Sequence, residues 1–153
     1  MKQDKSNFGK NFSQLKVGKK INHWPRKTIS DSAHSLFCLI TMNHHPIHID
    51  KIFAKKSKFK KRLVVGTYVF SLVVGMTVRD ISGKAIANLD YEKINHHAPV
   101  FIGDTINVSS KIISKQTSKS NKLNAKIKIM TIAKNQKGNK VLSFFRTILI
   151  KKK

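Results

Sequence analysis

The densest group of chemically capable side chains lies between Asn43 and Asp50, where the sequence reads N-H-H-P-I-H-I-D. This segment holds three imidazoles, an amide and a carboxylate, and an imidazole with an ordinary pKa near 6.5 exchanges protons near neutral pH. Pro46 disfavours helix at His45, so we expect a loop or an extended segment. These residue types on such a segment indicate general acid–base chemistry, with a histidine as the group that takes and returns the proton.

Each of these residues also has a structural alternative. His48 can tie the segment to a sheet, and Asn43 can hold a turn. Asp50 fits better as the N-cap of a short helix over Lys51–Lys56 than as a catalyst. Three histidines also suggest a metal site, but Pro46 excludes the helical His-x-x-x-His pair, so we expect no metal.

Two helices are predicted on either side of this segment. Residues 28–40 have Asp31 or Ser30 as the N-cap. Their apolar side chains recur at helical spacing, at Ala33, Leu36, Phe37 and Ile40. Residues 63–78 are apolar on nearly all faces, which is typical of a helix buried inside the protein.

The rest of the chain is predicted to supply the strands that cover this second helix. Four segments are rich in Ile, Val, Thr and Phe with partial alternation, at residues 85–89, 105–115, 124–135 and 141–150. Turn residues separate them, such as Gly103-Asp104 and Gly138-Asn139. Long antiparallel strands curled around one central buried helix describe an α+β hot-dog fold.

The chain is strongly basic, with 31 Lys and Arg against 7 Asp and Glu among 153 residues, a net charge of +24. Only four of the basic residues are arginine, whereas proteins that grip phosphate use arginine heavily. We therefore do not expect nucleic acid as the partner. A/T-rich codons, which favour Lys, Asn and Ile, would account for the charge, and so would steering of a small anionic substrate.

The remaining composition sets the expected location and the domain organisation. No apolar run reaches the roughly 20 residues of a membrane-spanning helix, and residues 1–20 lack the apolar stretch of a secretory signal. We expect a cytoplasmic protein with no membrane contact. The single cysteine, Cys38, excludes an internal disulfide and is expected in the core. Residues 1–17 are predicted to be a polar, disordered leader and residues 18–153 one domain.

The segment from Asn43 to Asp50 resembles the signature D-x-N-P-x-H-x-D of the MaoC-like dehydratases and (R)-specific enoyl-CoA hydratases. The family follows it with V-x-G at the start of the hot-dog helix, and residues 64–66 read V-V-G. Residues 98–105, A-P-V-F-I-G-D-T, also match. The resemblance covers residues 18–153, and T-M-N-x-H-P-x-H resembles the mesaconyl-CoA hydratase-like branch in particular.

The resemblance implies hydration or dehydration of a 2-enoyl-CoA thioester, with Asn43 and His48 holding the catalytic water. The usual aspartate is Asn43 here, and an amide cannot accept a proton, so Asn43 is expected to orient the water. Free N–H groups of Gly66 and Thr67 at the start of the helix are expected to form an oxyanion hole. Expected substrate-binding residues are Pro46, Tyr68 and Ser71. Gly66 has the alternative role of allowing close helix–strand packing.

Two further functions remain as alternatives. Hot-dog thioesterases commonly use an acidic residue on or near the central helix, and residues 63–78 contain none. A non-catalytic acyl-CoA-binding module remains open because the aspartate is missing. We expect a hydro-lyase that uses a CoA thioester, needs no cofactor and forms a homodimer or a higher homo-oligomer with a continuous sheet.

Overall fold

The protein is described by a computed structural model over residues 8–152. Its main feature is one antiparallel sheet in the order β1-β4-β5-β6-β3, with β2 also paired to β4. The strands are β1 (Lys20–Asn22), β2 (Lys27–Thr28), β3 (Ala85–His96), β4 (Thr105–Thr117), β5 (Asn124–Lys134) and β6 (Lys140–Lys151). The helices are α1 (Asp31–Ile40), α2 (Pro46–Ile49), α3 (Lys51–Lys56) and α4 (Gly66–Thr77).

Alternation of side chains decides which face of the sheet is buried. Ile127 and Ile129 of β5 are buried, while Lys126 points to the opposite face and is exposed. α4 packs Val69 and Val73 on the buried face. The predicted α+β hot-dog fold, a sheet curled around one helix, is confirmed.

The burial of α4 is less complete than its composition predicts. Thr67, Ser71 and Gly75 recur every four residues along the helix and are all exposed. All three are small residues, so the sequence contains a weak polar stripe that the high overall hydropathy of the helix conceals. The sheet covers one side of α4 and leaves this side open.

Two predicted helices begin later in the chain than expected, because the residues before them form extended, paired segments. α1 begins at Asp31 rather than at residue 28, since Thr28 pairs with Thr105 in the sheet. Ser30 is the N-cap, accepting a hydrogen bond from the N–H of Ala33 at 3.3 Å. α4 begins at Gly66 rather than at residue 63, because Leu63 is extended and bridges to Phe101.

The predicted leader divides into two parts. Residues 1–7 lie outside the described residues. Leu15, by contrast, is fully buried in a cluster with Ile81 and Ile112. The Nζ of Lys115 also donates a hydrogen bond to the carbonyl of Phe12 at 2.6 Å. Within residues 8–17, the chain therefore contributes to the hydrophobic core.

A layer of polar side chains crosses the buried face between two apolar clusters. On three adjacent strands the sequence places a polar residue between apolar neighbours of the same face, at Ser110, Thr131 and Arg146. His23 and Thr77 complete this polar layer. Arg146 is only 1% exposed, and its guanidinium donates to the Thr77 hydroxyl at 2.9 Å.

Candidate active site

The C-terminal end of α1 fixes the position of Asn43. Met42 adopts the left-handed backbone conformation at φ 57°, and its N–H donates to the carbonyl of Leu39 at 3.2 Å. The N–H of Asn43 donates to the carbonyl of Cys38 at 3.0 Å. These two bonds form a Schellman motif, which ends the helix sharply. The motif places Asn43, which is half-buried, at the start of the segment that ends at Asp50.

Residues 46–49 form the short helix α2, so the predicted loop or extended conformation is wrong for them. Pro46 is the first helical residue, where a missing N–H costs nothing. His45 is extended as predicted, and its Nδ1 accepts a hydrogen bond from the N–H of Ile47 at 3.1 Å. Pro46 thus disfavours helical backbone at the residue before it, but is itself the first residue of a helix.

Asp50 separates α2 from α3 and is a helix cap, as its structural alternative predicts. Its Oδ1 accepts hydrogen bonds from the N–H groups of Ile52 at 2.7 Å and Phe53 at 3.0 Å. Both oxygen–nitrogen contacts satisfy N–H groups that have no partner within α3. Asp50 is therefore engaged with the backbone.

His48 is tied to the strand segment that leads into α4. Its Nδ1 lies 2.9 Å from the carbonyl oxygen of Leu63. A carbonyl only accepts, so Nδ1 carries the proton and the neutral ring leaves a lone pair on Nε2. The N–H of Leu63 in turn donates to the carbonyl of Ile47 at 3.1 Å. Among residues 8–152, Nε2 of His48 has no hydrogen-bond partner, so it is free to act on a ligand.

A second imidazole, that of His34 in α1, packs against the ring of His48. It is completely buried, and its Nε2 accepts a hydrogen bond from the N–H of Val65 at 3.0 Å. The two rings meet edge to face with centroids 6.1 Å apart. Burial, followed by the nearby His48 and Arg62, lowers the pKa of His34. His34 and His48 together hold residues 63–65 through hydrogen bonds to Val65 and Leu63.

Sequence reasoning missed His34 because the apolar pattern of α1 pointed elsewhere. The predicted core positions Leu36 and Ile40 are 58% and 71% exposed, whereas His34 and Cys38 are buried. The available signal was the i, i+4 spacing of His34 and Cys38, which places both on one face of the helix. Cys38 is buried as predicted, and this burial raises the pKa of its thiol.

The N-terminus of α4 presents unpaired backbone donors. The N–H groups of Gly66, Thr67 and Tyr68 have no acceptor within the helix, and no side chain caps them within the described residues. They carry the positive end of the helix dipole. A Cβ added at Gly66 would lie 3.1 Å from the ring of His96. The absence of a side chain therefore lets the histidine of β3 approach the helix closely.

The remaining predicted site residues lie at different depths. Tyr68 is buried, and its ring packs edge to face on His34 and Phe37 at centroid distances of 5.8 and 5.3 Å. Burial raises the pKa of its phenol. Pro46 is exposed at the start of α2, and Ser71 is on the open side of α4. His48 is thus hydrogen-bonded to Leu63, in the segment that leads into α4, whereas Ser71 lies one helical turn beyond Thr67.

A cavity of about 310 Å³ opens beside Gly66. Most of its wall is apolar, including Phe59, Val64 and Val69. His96, the last residue of β3, and the adjacent His97 add two imidazoles to the wall. His97 hydrogen-bonds through Nε2 to the hydroxyl of Ser143 at 2.7 Å. Burial and then the neighbouring His97 lower the pKa of His96. The ring of His96 therefore packs against the N-terminus of α4 and forms part of the cavity wall.

Residues 8–152 offer neither a membrane-spanning helix nor a cluster of metal ligands. No helix in this part of the chain has the length and apolar character needed to cross a bilayer. The same residues contain no group of three or more His, Cys, Asp or Glu side chains that could hold a metal ion.

Comparisons with known proteins identify the same family that the segment from Asn43 to Asp50 resembles. The family model "MaoC like domain" matches residues 12–134. The mesaconyl-CoA hydratase of Cereibacter sphaeroides is 32% identical, covering 97% of this chain and 43% of that protein. The beta-methylmalyl-CoA dehydratase of Chloroflexus aurantiacus is 29% identical, covering 97% and 42%. The chain therefore spans less than half the length of these relatives.

Solved structures show the same similarity in three dimensions. A putative MaoC domain dehydratase from Chloroflexus aurantiacus superposes with a TM-score of 0.91 at 28% identity, covering 97% of this chain and 42% of that one. A monoamine oxidase regulatory protein from Archaeoglobus gives a TM-score of 0.83 at 29% identity, covering 95% and 96%. The second match shows that a solved chain of nearly the same extent has this fold.

Proposed function

Because this chain belongs to the MaoC-like domain family, we propose that it adds water to, or removes water from, the double bond of a 2-enoyl-CoA thioester. The observation that carries the proposal is the state of His48. Its Nδ1–H is held by the Leu63 carbonyl at 2.9 Å, which leaves Nε2 as a base near the segment that begins α4. The named activities of the hydratase and dehydratase relatives support the same reaction class.

In the hydration direction, Nε2 of His48 takes a proton from a bound water while the water oxygen bonds to C3 of the enoyl group. The C2–C3 π electrons move toward the thioester and form an enolate. The protonated His48 then returns the proton to C2 and the carbonyl forms again. Dehydration follows the same steps in reverse, and general acid–base catalysis of this type contributes about 10²–10⁴-fold.

The start of α4 is proposed to stabilise the enolate oxygen. The N–H groups of Gly66 and Thr67 point out of the helix with the positive end of its dipole. Donors fixed before the reaction lower the energy of a developing oxyanion without the cost of reorganisation. His34 supports this role, because its bond to the N–H of Val65 fixes the residue directly before these donors.

Asn43 is proposed to orient the water that His48 activates. An amide donates and accepts hydrogen bonds but does not take a proton, so the proton transfers fall to His48. Pro46, Tyr68 and Ser71 are proposed to contact substrate, with different exposure. Pro46 and Ser71 are open to solvent, whereas Tyr68 is buried, so its contact with an acyl group requires that group to reach the core.

The test is an absorbance assay at the enoyl-thioester band with short, branched and dicarboxylic enoyl-CoAs. The wild-type protein is expected to consume at least one of them, and Asn43→Asp distinguishes two roles for the amide. If Asn43 only replaces a lost acid, the substitution raises the rate. If the site is adapted to an amide, the rate falls. Binding of acyl-CoA without any turnover would instead support a non-catalytic acyl-CoA-binding module.

We also infer that two copies pair through β3. This strand is 12 residues long, lies at the sheet edge and bonds only to β6 within the described residues. Ile86, Leu89 and Ile94 along it are 42–49% exposed. A long edge with exposed apolar side chains favours pairing with another strand, and two antiparallel β3 edges would give a continuous sheet. Sedimentation showing a stable monomer at micromolar concentration would contradict the dimer.

A further inference from the structure

A second cavity, of about 410 Å³, is lined by Phe101 and Arg62, next to the Leu63–Phe101 bridge. We call it the basic pocket. Its lining consists of Asp31, Lys51, Lys55, Lys60, Lys61, Arg62, Phe101 and Ile102. Five of these residues are cations and one is a carboxylate, so the lining carries a formal charge of +5 − 1 = +4. This is a concentration of positive charge in a concave site.

The charges of the basic pocket are poorly neutralised by the protein. Asp31 pairs with Arg62, and that guanidinium helps to lower the pKa of the carboxyl. The pair therefore cancels one cation only. Among residues 8–152, Lys51, Lys55, Lys60 and Lys61 form no ion pair. Four ammonium groups around one cavity repel one another, and a bound anion of several charges relieves this repulsion.

Local structure directs these lysines to the cavity. Lys51 and Lys55 are four residues apart, so they lie on one face of α3. Lys60 has a left-handed backbone with φ 61°, a conformation that favours glycine or asparagine. A lysine kept in this unfavourable conformation is consistent with a functional side chain.

An aromatic side chain adjoins the cations. The Nζ of Lys61 lies 4.2 Å from the ring centroid of Phe101, and Ile102 extends the same apolar surface. Arginine, lysine and aromatic rings together are suited to a nucleotide, since cations bind phosphates while a ring stacks on a base. The sequence contains too many lysines to show which of them contact a ligand phosphate, whereas the structure places these lysines around one cavity.

The basic pocket also lies at a useful distance from the proposed reaction site. Arg62 of the pocket is four residues before Gly66, and an extended chain advances about 3.3 Å per residue. The separation is therefore at most about 13 Å along the backbone. We propose that the basic pocket binds the 3′-phosphate and pyrophosphate of the CoA nucleotide, with the adenine near Phe101. This assignment rests on the proposed use of a CoA thioester.

The test compares two double variants with the same change in net charge. Lys51→Gln/Lys55→Gln alters the basic pocket. Lys126→Gln/Lys134→Gln is the control, since both lysines are exposed on β5 and neither lines the pocket. Free CoA and 3′-dephospho-CoA are titrated into the full chain by calorimetry, with circular dichroism confirming the fold of each variant. Neither ligand requires turnover.

We expect the pocket variant to weaken CoA binding by about tenfold or more, and the control by less than twofold. The pocket variant loses ammonium groups that would contact the phosphates directly, whereas the control lysines act only through long-range attraction that salt screens. The wild-type protein should also bind 3′-dephospho-CoA more weakly than CoA. That preference should shrink in the pocket variant.

The outcomes separate this inference from the proposed reaction. Equal weakening in both variants, or none in either, overturns the basic pocket as the nucleotide site, as does a wild-type protein that does not bind CoA. Efficient hydration with an unchanged KM in the pocket variant also overturns it while leaving the reaction intact. Pocket-dependent CoA binding without turnover supports the pocket and contradicts the hydratase.

Discussion

Two regions of this molecule use buried or half-buried histidine in different ways. In the polar layer, His23 is 3% exposed. Its Nδ1 bonds to the Asp80 carboxylate at 2.8 Å and its Nε2 to the Ser110 hydroxyl at 2.9 Å. At the candidate site, His48 is half-buried and bonds through Nδ1 alone. One ring has both nitrogens occupied by the protein, and the other keeps one nitrogen for a ligand.

The difference indicates what each polar cluster contributes. Ser110 also bonds to the Thr131 hydroxyl at 2.8 Å, so His23 belongs to a connected network in which each member satisfies another. Such a network stabilises one arrangement of the core, and breaking it leaves buried groups unpaired. His48 contributes one bond to the fold and leaves Nε2 available. We therefore expect stability effects from the first region and rate effects from the second.

The largest expected effect is on turnover by His48→Ala. Since His48 carries both proton transfers in the proposed reaction, kcat should fall by about 10²–10⁴-fold. The lost bond to Leu63 should leave the protein folded, as judged by near-UV circular dichroism. Enoyl-CoA hydration at saturating substrate measures the rate, and a wild-type kcat in this variant would remove His48 from catalysis.

His23→Leu should show the opposite behaviour. The substitution leaves Asp80 and Ser110 without their histidine partner, and an unsatisfied buried group costs about 1–3 kcal/mol. With two groups affected and Asp80 partly exposed, we expect a loss of about 2–3 kcal/mol of unfolding free energy. Urea denaturation measures this loss. The kcat of the folded fraction should change less than threefold, and a large fall in kcat at unchanged stability would reverse the assignment of the two regions.

The sequence predicted the elements whose pattern is local. The alternation of Ile127 and Ile129 with lysines identified β5, and Asp50 before Lys51–Lys56 identified α3 and its cap. The strands β1 and β2 were missed because they have three and two residues, too few to show a period. The length of β3 was underestimated, because three register shifts and the left-handed Lys93 interrupt its alternation.

Parts of the site were beyond the sequence because they depend on contacts between distant residues. His48 was identified from its motif, but the Leu63 carbonyl that sets its tautomer is 15 residues away. His34 meets Val65 across 31 residues, and no spacing rule connects them. The packing of His96 on Gly66 is of the same kind. A local pattern predicts which residues can do chemistry, while the fold decides which nitrogens remain free.

The pH dependence of stability should reflect the buried rings of both regions. Burial lowers the pKa values of His23 and His34 below the ordinary 6.5, so the unfolded chain binds protons first as the pH falls. Stability from these rings is therefore complete above about pH 6.5 and decreases below it. The slope should reach up to about 1.4 kcal/mol per pH unit for each ring.

Urea denaturation between pH 7.5 and pH 5 measures this slope. His34→Gln is the informative variant, since the amide oxygen can still accept from the N–H of Val65 but does not titrate in this range. The variant should lose the share of the slope that belongs to His34. An unchanged slope would mean that His34 does not resist protonation in the folded protein.

The smallest expected effect concerns Asp50, which lies beside the candidate site but serves the fold. Asp50→Ala removes the acceptor for the N–H groups of Ile52 and Phe53, and loss of an N-cap costs about 1 kcal/mol. His48 is only two residues away, yet its ring is held by the Leu63 carbonyl and not by the cap. Stability should therefore fall by about 1 kcal/mol in urea, with kcat nearly unchanged. Asp50→Asn should restore most of the stability, because its side-chain oxygen also accepts. A fall in kcat of a hundredfold or more would instead place Asp50 among the groups that handle the water, and the carboxylate that Asn43 lacks would then be supplied from the other end of the segment.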